Sequence, residues 1–218
     1  GVYCFNVKEL FTAIGDIKAN VKKKEYYLTD IIELFLGRGF SVETLVTDDW
    51  TANLALNIRA AMALSEDILR KKILDKLMSK GVTIVDPATT YVENDVLIGR
   101  DTVIYPCTYI HHNVKIGRDC SVGPFARLRP GTRLANHVSI GNFTELSRSV
   151  VGDNVNMKHF SFLGDTTVAK GANIGCGTVT ANYDGKNKNK TLIGSGAFIG
   201  CDSVLIAPVK VGKGAKIG

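Results

Sequence analysis

The sequence predicts a mostly β protein, a left-handed parallel β-helix of hexapeptide repeats, preceded by the α/β tail of another domain and a connecting helix. Aliphatic residues recur at a spacing of six without a break, a glycine follows many of them, and neither a helix nor an ordinary sheet requires that period. Each hexad supplies one short strand whose aliphatic side chain points inward. The unbroken run comprises Val92, Ile98, Ile104, Ile110, Ile116, Val122, Leu128, Leu134, Ile140 and Leu146.

The period of six slips after Leu146, returns at Val168 and Ile174, and continues further along the chain. Stacked coils of such repeats bury a continuous aliphatic column, so that neighbouring coils must agree in sequence. A polar stretch, residues 181–190, interrupts the repeat. Because the regular coils offer only flat walls, we expect this projecting loop to carry function. The later aliphatic positions are Ile193, Ile199, Leu205, Val211 and Ile217.

The first 80 residues follow a different pattern, in which strands alternate with helices. Val2–Val7 and Ser41–Val46 are expected to form strands, and Tyr27–Leu36 a short helix. A long helix is expected from about Asn53 to Lys80, ended by Gly81. This pattern indicates the tail of an α/β domain followed by a connecting helix.

The predicted domains are therefore an α/β remnant at 1–52, a connecting helix at 53–81 and the β-helix at 82–218. No Gly-rich phosphate loop occurs in the first half. The chain opens on Gly1 and stops within a repeat at Gly218, so we expect it to be a fragment of a longer protein.

Composition favours a soluble cytoplasmic protein that binds small molecules. The chain is 45% hydrophobic and 22% charged, with no signal peptide or long apolar span. Its five cysteines are odd in number and form no CxxC pair, which favours a reducing cytoplasm. Residues 81–218 carry +5 of the formal net charge of +6, which suits small anionic ligands. Lysines and arginines are scattered singly, so we expect neither nucleic-acid binding nor membrane insertion.

Four histidines are candidates for chemistry. His159 lies where the repeat is disturbed and would act as a general base, although a histidine at a coil corner is an equally good interpretation. A zinc site of the carbonic anhydrase type needs three histidines brought together. His111 and His112 are adjacent, whereas His137 and His159 lie one or more coils away, so the spacing does not fit.

Several motifs in the repeat region are long and specific. With His159 and Leu163–Asp165, they closely resemble the acetyltransferase half of the bacterial bifunctional N-acetylglucosamine-1-phosphate uridyltransferase / glucosamine-1-phosphate N-acetyltransferase family. Residues 25–31 and 56–59 and the helix that follows resemble the end of that family's uridyltransferase half. The likeness covers nearly the whole chain and keeps the family's order. The motifs are Gly123–Gly131 (GPFARLRPG), Gly141–Glu145 (GNFTE), Asn173–Thr178 (NIGCGT) and Asn182–Gly185 (NYDG).

The resemblance implies a role for each matching residue on the sugar side. His159 would take a proton from the sugar's ammonium group, so that the amine attacks the acetyl thioester. Glu145 would orient His159 and support its charged form. Arg129 would bind the sugar phosphate, since a guanidinium fork fits the oxygens. Asn173 would hydrogen-bond the sugar.

The resemblance also implies ligands for acetyl-CoA and a metal. Asn182 and Tyr183, on the projecting loop, would meet acetyl-CoA, with Cys176 at another matching position. Lys188 would lie near the CoA phosphates. Asn57 matches a residue that helps to hold Mg²⁺ in the family's uridyltransferase site.

Three expected contact positions depart from the family's pattern. Ser147 and Arg148 stand where the family has two lysines after the Glu145 position, and the first of those lysines contacts the sugar phosphate. Phe162 replaces a sugar-contacting tyrosine, and Cys201 replaces a serine near the thioester and is a weaker donor. Losing one oxyanion donor costs about a hundredfold or more in rate. These changes leave open another amino-sugar 1-phosphate, such as galactosamine-1-phosphate, or a non-catalytic trimerisation module of a nucleotidyltransferase.

The expected reaction is acetyl transfer from acetyl-CoA to the amine of glucosamine-1-phosphate, by direct attack. In the parent enzyme, uridyl transfer from UTP would follow and give UDP-N-acetylglucosamine for cell-wall and lipopolysaccharide precursors. A covalent role for Cys201 is disfavoured because no Lys, Arg or His neighbours it in sequence to lower the pKa of its thiol. The resemblance also implies a homotrimer whose sites are completed by neighbouring chains.

Overall fold

The computed structural model describes residues 2–49, 51 and 56–218, and most of them form short parallel strands. The strands of this described part are β1 (Thr83–Ile84), β2 (Tyr91–Val92), β3 (Leu97–Ile98), β4 (Val103–Ile104), β5 (Tyr109–Ile110), β6 (Lys115–Ile116), β7 (Ser121–Val122), β8 (Arg127–Leu128), β9 (Arg133–Leu134), β10 (Ser139–Ile140), β11 (Thr144–Ser147), β12 (Val150–Val151), β13 (Asn156–Met157), β14 (Ser161–Gly164), β15 (Thr166–Val168), β16 (Asn173–Ile174), β17 (Val179–Ala181), β18 (Thr191–Ile193), β19 (Phe198–Ile199), β20 (Val204–Ile206), β21 (Val209–Val211) and β22 (Lys216–Ile217).

These strands stack into three parallel sheets, because each strand pairs with the strand three places along the chain. Sheet 1 runs β1-β4-β7-β10-β13-β16-β19-β22, sheet 2 runs β2-β5-β8-β11-β14-β17-β20, and sheet 3 runs β3-β6-β9-β12-β15-β18-β21. One coil therefore contributes a strand to each sheet. The prediction of a parallel β-helix is confirmed.

The predicted aliphatic column lies inside this β-helix. Every residue of the unbroken run is buried, and Ile104, Ile110 and Leu128 have no exposed surface. Fully burying such a side chain contributes about 1.5–3 kcal/mol, so we expect the column to stabilise the β-helix strongly. The corner glycines are required where coils approach closely: a Cβ on Gly117 or Gly141 would collide with the backbone of the next coil.

The slip in the period of six comes from short corners between sheets 2 and 3. Leu134 pairs with Val151 and Val151 with Val168, so that these coils advance by 17 residues, one fewer than three hexads. The corner between β11 and β12 holds only residues 148–149, and the corner between β14 and β15 only Asp165. The corner of the next coil is instead enlarged into residues 182–190.

Residues 2–65 belong to a second compact unit, whose described regular elements are helices. It contains α1 (Val7–Ala13), short 3-10 helices at Ile14–Asp16 and Leu28–Asp30, and α2 (Ile31–Gly37). Together, Leu28–Asp30 and α2 form the predicted short helix. A small apolar core lies between them, formed by Ala13, Ile17, Ile31 and Phe35.

The strands predicted for Val2–Val7 and Ser41–Val46 are wrong. Neither segment pairs with another strand in the part of the chain that the structure describes. Instead, the side chain of Asn6 accepts a hydrogen bond from the Lys8 backbone N–H at 3.1 Å and caps α1. Local alternation alone therefore does not produce a strand where no partner strand is at hand.

The long helix is present as α3 (Arg59–Met78). Its expected start at Asn53 lies outside the described residues. The helix ends where expected, because Gly81 adopts a left-handed φ of 88° and donates its N–H to the Met78 carbonyl. Leu74 and Leu77 join the apolar core of the first coils. None of the described helices is long and apolar enough to cross a membrane.

Candidate functional site

The candidate site residues cluster at sheet 2 and at the two corners that flank it. The first corner joins sheets 1 and 2, and the second corner joins sheets 2 and 3. His159, Cys176 and Cys201 lie at the first corner of successive coils. Glu145 and Phe162 lie on sheet 2 itself, where they are direct neighbours in β11 and β14. The remaining sugar- and CoA-side candidates, Arg129, Ser147, Asn173, Asn182, Tyr183 and Lys188, belong to or adjoin these same coils.

A shallow cavity of about 410 Å³ opens at the first corner. Three consecutive coils contribute to it, through β13, β16 and β19 and the residues that follow them. The cavity brings together four candidates that are distant in sequence. Its lining residues are Lys158, His159, Asn173, Ile174, Gly175, Cys176, Phe198, Ile199 and Cys201.

The His159 imidazole is exposed at this cavity. Within the described ranges, neither of its ring nitrogens has a hydrogen-bond partner, whereas its backbone carbonyl accepts from the Ser161 hydroxyl at 3.0 Å. The His159 backbone is therefore fixed while its ring nitrogens stay available to a ligand. That arrangement suits a group that accepts a proton from a substrate.

Glu145 contacts Arg129, and among the described residues it has no hydrogen bond to His159. The Arg129 Nη1 donates to Glu145 Oε1 at 3.0 Å, with 41% and 33% of the two side chains exposed. A half-exposed ion pair of this kind contributes little stability, about 0–1 kcal/mol. Arg129, which follows β8, is thus held beside sheet 2 while remaining accessible to an anion.

A network of polar side chains at the second corner is centred on Asp165. Asp165 accepts from Arg148 Nε at 2.6 Å and Nη2 at 2.8 Å, and from the Asn182 amide. Arg148 Nη1 also donates to the Ser147 hydroxyl at 3.0 Å. The Arg148 guanidinium holds the pKa of the Asp165 carboxyl below its ordinary value, and Asn182 and Lys188 add to this effect although burial opposes it.

This network determines whether Ser147 and Arg148, which stand where the family has two lysines, can bind a phosphate. Ser147 is only 1% exposed and bonds to Arg148, while Arg148 is committed to both oxygens of Asp165. Neither side chain is free to bind a phosphate in this arrangement. The role of Asp165 was missed in the sequence, although the slip in the period of six marks the corners that bring Arg148 and Asp165 together.

Phe162 and Asn182 both pack closely against Gly164 beside the network. A Cβ at Gly164 would lie 2.5 Å from the Asn182 amide nitrogen and 2.9 Å from the tip of the Phe162 ring. The Gly164 N–H donates to the Thr180 hydroxyl at 2.8 Å, which fixes the backbone there. The absence of a side chain at Gly164 therefore leaves the space that the Phe162 ring and the Asn182 amide occupy.

The projecting loop, residues 182–190, is a closed hairpin. The Asn189 N–H donates to the Asn182 carbonyl at 2.7 Å, and the Asp184 N–H to the Asn187 carbonyl at 3.1 Å. Backbone N–H groups of Asn187 and Lys186 lower the pKa of the Asp184 carboxyl below its ordinary value. The loop therefore holds its own shape, as an Asp-Gly turn does.

Tyr183 and Lys188 face each other across this hairpin in an antiparallel bridge. The Tyr183 ring is 60% exposed, and its hydroxyl donates to the Gly185 carbonyl at 2.6 Å. Lys188 is exposed as well. An aromatic face and an ammonium group are thus presented together to solvent.

A second polar cluster, which the sequence did not reveal, surrounds Glu93. Its carboxylate accepts from the Tyr109 hydroxyl at 3.0 Å, His111 Nδ1 lies 2.9 Å away, and the backbone N–H and Nδ1 of His112 both lie 2.7 Å away. Burial raises the pKa of Glu93, but the hydrogen bonds from His112 and Tyr109 prevail and lower it to about 2. Arg127 Nε donates to His111 Nε2 at 3.2 Å, so both histidines already have partners.

These contacts argue against the zinc interpretation. His111 and His112 share Glu93, His137 lies 3.8 Å from Asp119, and His159 lies in the separate cavity. In residues 2–49, 51 and 56–218, no group of three or more His, Cys, Asp or Glu side chains is placed to hold a metal ion.

Comparison with known proteins finds relatives along the whole chain. A family model for bacterial transferase hexapeptide (six repeats) matches residues 95–130. The bifunctional protein GlmU of Acetivibrio thermocellus is 40% identical over 250 residues, covering 100% of this chain and 54% of that protein. GlmU of Carboxydothermus hydrogenoformans is 43% identical over 252 residues, covering 100% and 56%. The chain is a relative of the bifunctional GlmU proteins.

The chain covers only part of the GlmU proteins, and it has fewer residues than they have within the aligned region. The chain spans about half the length of the GlmU relatives that it matches. The alignment with the Acetivibrio protein runs over 250 positions against 218 residues here, so 32 aligned positions have no residue in this chain. This chain is therefore shorter than GlmU within the matched region itself.

Among solved structures, the acetyltransferase domain of PglB from Neisseria gonorrhoeae in complex with acetyl coenzyme A is 16% identical, with a TM-score of 0.42, covering 69% of this chain and 62% of that one.

Asn57 is the residue expected, from the resemblance, to help to hold Mg²⁺. Asn57 is exposed, just ahead of α3. The described residues supply no carboxylate cluster beside it, so they do not form a site that fits Mg²⁺.

Proposed function

We propose that this chain catalyses acetyl transfer from acetyl-CoA to the amine of glucosamine-1-phosphate, as the acetyltransferase part of a GlmU-type enzyme. The observation that carries the proposal is the cavity in which three consecutive coils bring together His159, Asn173, Cys176 and Cys201. The identity of about 40% with GlmU proteins along the whole chain supports it.

In this proposal His159 is the general base. An ammonium group has no lone pair, so it must lose a proton before its nitrogen attacks the thioester carbonyl. Imidazole titrates near neutral pH, and the ring nitrogens of His159 are free of protein partners within the described residues. The amine adds to the acetyl carbonyl and the thiolate of CoA leaves. The imidazolium returns a proton to that sulfur, and the nitrogen, which becomes an amide, releases its second proton to solvent. No bond to the protein is formed.

Arg129 is the proposed anion-binding group for the sugar phosphate. Its guanidinium is 41% exposed and is already positioned by Glu145. Phosphate binding at Arg129 competes with that ion pair. Glu145, once released from Arg129, is proposed to support the charged form of His159. Because Ser147 and Arg148 are engaged elsewhere, we expect a phosphate site with a single cation and a modest affinity for the sugar phosphate.

Acetyl-CoA is proposed to lie between the projecting loop and the cavity. Tyr183 would contact it through its exposed ring, Lys188 would pair with the CoA phosphates, and Asn182 would hold the loop base through Asp165. Cys176 and Cys201 would lie near the thioester. Asn173 would hydrogen-bond the sugar.

The whole protein is proposed to be a cytoplasmic homotrimer that also transfers uridyl from UTP, with Mg²⁺ at that other site, and so makes UDP-N-acetylglucosamine. A galactosamine-1-phosphate acetyltransferase is the second candidate. It is favoured by Phe162, which lies beside Gly164 and has no hydroxyl for the sugar.

A product assay separates the two sugars. The protein is incubated with acetyl-CoA and either glucosamine-1-phosphate or galactosamine-1-phosphate, and the N-acetylated sugar is quantified by mass spectrometry. We expect glucosamine-1-phosphate to be acetylated with the higher kcat/KM. A higher kcat/KM for galactosamine-1-phosphate would show that this sugar is the preferred substrate. If a folded protein forms no product from either sugar, the enzymatic assignment is contradicted.

A further inference from the structure

Two cysteines occupy equivalent positions in consecutive coils. Cys176 follows Gly175 after β16, and Cys201 follows Gly200 after β19. These strands pair in register, Asn173 with Phe198 and Ile174 with Ile199.

The two corners are also braced in the same way. The Thr178 hydroxyl donates to the Gly175 carbonyl at 2.8 Å, and the Ser203 hydroxyl to the Gly200 carbonyl at 2.9 Å. The Asp202 N–H donates to the carbonyl of Cys176 at 2.7 Å, which joins the two corners directly. The cysteines are therefore stacked one above the other.

This stacking meets the distance requirement of a disulfide. Adjacent strands lie about 4.7–4.9 Å apart, and disulfides join Cα atoms about 4.4–6.8 Å apart. Both side chains line the same cavity. The pKa of the Cys176 thiol is raised, mainly by burial and to a smaller extent by the nearby Cys201. Cys201 is exposed and Cys176 half-buried, and both are free thiols here.

We propose that Cys176 and Cys201 are a redox-active pair whose disulfide switches off the proposed acetyl-transfer site. The inference rests on the proposed function for its consequence, because both sulfurs line the cavity that holds His159 and Asn173. Joining them moves both thiols from the cavity surface into a bridge between coils. The disulfide then changes the surface on which the thioester lies.

The oxidant is a low-molecular-weight disulfide. The Cys201 thiolate attacks one of its sulfurs, which forms a mixed disulfide and releases one small thiol. The Cys176 thiolate then attacks the Cys201 sulfur and releases the second small thiol. The protein loses two electrons and two protons, and the small disulfide gains them as two thiols. A dithiol reductant reverses the sequence.

The other cysteines supply controls. Cys107 is exposed, but it stacks in register above Phe125 of the next coil, which carries no thiol. Cys120 is buried, with its sulfur 3.1 Å from the Ala135 carbonyl. The matched variant is therefore Cys107→Ser, which removes an exposed thiol without touching the pair.

The test treats the protein with oxidised glutathione and maps its peptides by mass spectrometry, beside acetyl-transfer assays. We expect the Cys176 and Cys201 peptides to be joined, free thiols to fall by two at these positions, and dithiothreitol to restore them. Cys107→Ser should behave identically, whereas Cys201→Ser and Cys176→Ser should form no bridge. Separate glutathione adducts on Cys176 and Cys201, or two unmodified thiols, would overturn the proposal.

The activity readout separates this proposal from the proposed function. We expect oxidation to lower acetyl transfer at least tenfold in the wild type and in Cys107→Ser, with recovery on reduction. Unchanged activity in the bridged protein would overturn the switch. If oxidation forms the bridge but the reduced protein does not acetylate the sugar, the proposed function fails, and with it the regulatory consequence. The peptide map still establishes the redox pair in that case.

Discussion

The coils of residues 82–146 and those of residues 147–190 share three sheets and one aliphatic core, but they differ at the second corner. The regular corner between β8 and β9 holds four residues, whereas the later corners hold two, one and then nine. Both short corners place a non-glycine residue in left-handed backbone, Arg148 and Asp165, each with φ of 49°. Polar clusters occur in both regions, since Glu93 gathers Tyr109, His111 and His112 in the regular coils. Only the short corners bring Arg148 against Asp165, next to the projecting loop.

The regular coils should show the largest loss of stability when a core residue is truncated. Leu128→Ala removes a side chain with no exposed surface. We expect the free energy of unfolding to fall by about 2–5 kcal/mol. Urea denaturation followed by circular dichroism measures this. Ile206→Ala, on a side chain that is 74% exposed, is the control and should change little. A small effect at Leu128 would show that the column does not dominate stability.

In the irregular coils, Asp165→Asn should be the most damaging polar change. It removes the charge that Arg148 pairs with, and we expect a loss of about 1–3 kcal/mol at neutral pH. Because the folded-state pKa of Asp165 is lowered, its contribution is present above the ordinary aspartate value of 3.8 and is lost as pH falls through the folded-state pKa. Urea midpoints from pH 7 to pH 3 therefore measure it.

The control for Asp165 is Asp101→Asn, which removes a carboxylate that is 67% exposed. The wild type and Asp101→Asn should lose stability on acidification more steeply than Asp165→Asn. Equal pH dependence in all three proteins would mean that the Arg148–Asp165 pair does not stabilise the corner.

Gly164→Ala tests whether the irregular coils position the loop. The added Cβ meets the Asn182 amide and the Phe162 ring, so we expect kcat/KM for acetyl transfer to fall about tenfold or more through misplacement of the loop base. The matched control is Gly212→Ala, where nothing lies within 4 Å of an added Cβ. Equal activity of the two variants would remove Gly164 from the site.

Arg129→Ala should have the smallest effect on stability and a clear effect on substrate binding. Its half-exposed pair with Glu145 predicts a change of less than about 1 kcal/mol in unfolding. Loss of a charged contact to phosphate predicts that KM for the sugar phosphate rises about tenfold or more. Steady-state kinetics checks this against Arg118→Ala, and an unchanged KM would place the phosphate elsewhere.

The sequence was sufficient for the β-helix because an inward side chain every six residues leaves one arrangement that buries them all. It was insufficient for Val2–Val7 and Ser41–Val46, because pairing depends on a partner strand that local alternation does not report. Resemblance supplied the names of the site residues. It did not supply the commitment of Arg148 to Asp165, which depends on how two short corners stack.

The most direct test of the account is the rate of N-acetyl product formation from acetyl-CoA and glucosamine-1-phosphate by the wild type, His159→Ala and His137→Ala. We expect the His159→Ala variant to lose at least about a hundredfold in kcat, since a general base contributes on that order. His137→Ala, which changes a histidine outside the cavity, should retain wild-type activity. Wild-type product formation by a folded His159→Ala protein would contradict the account.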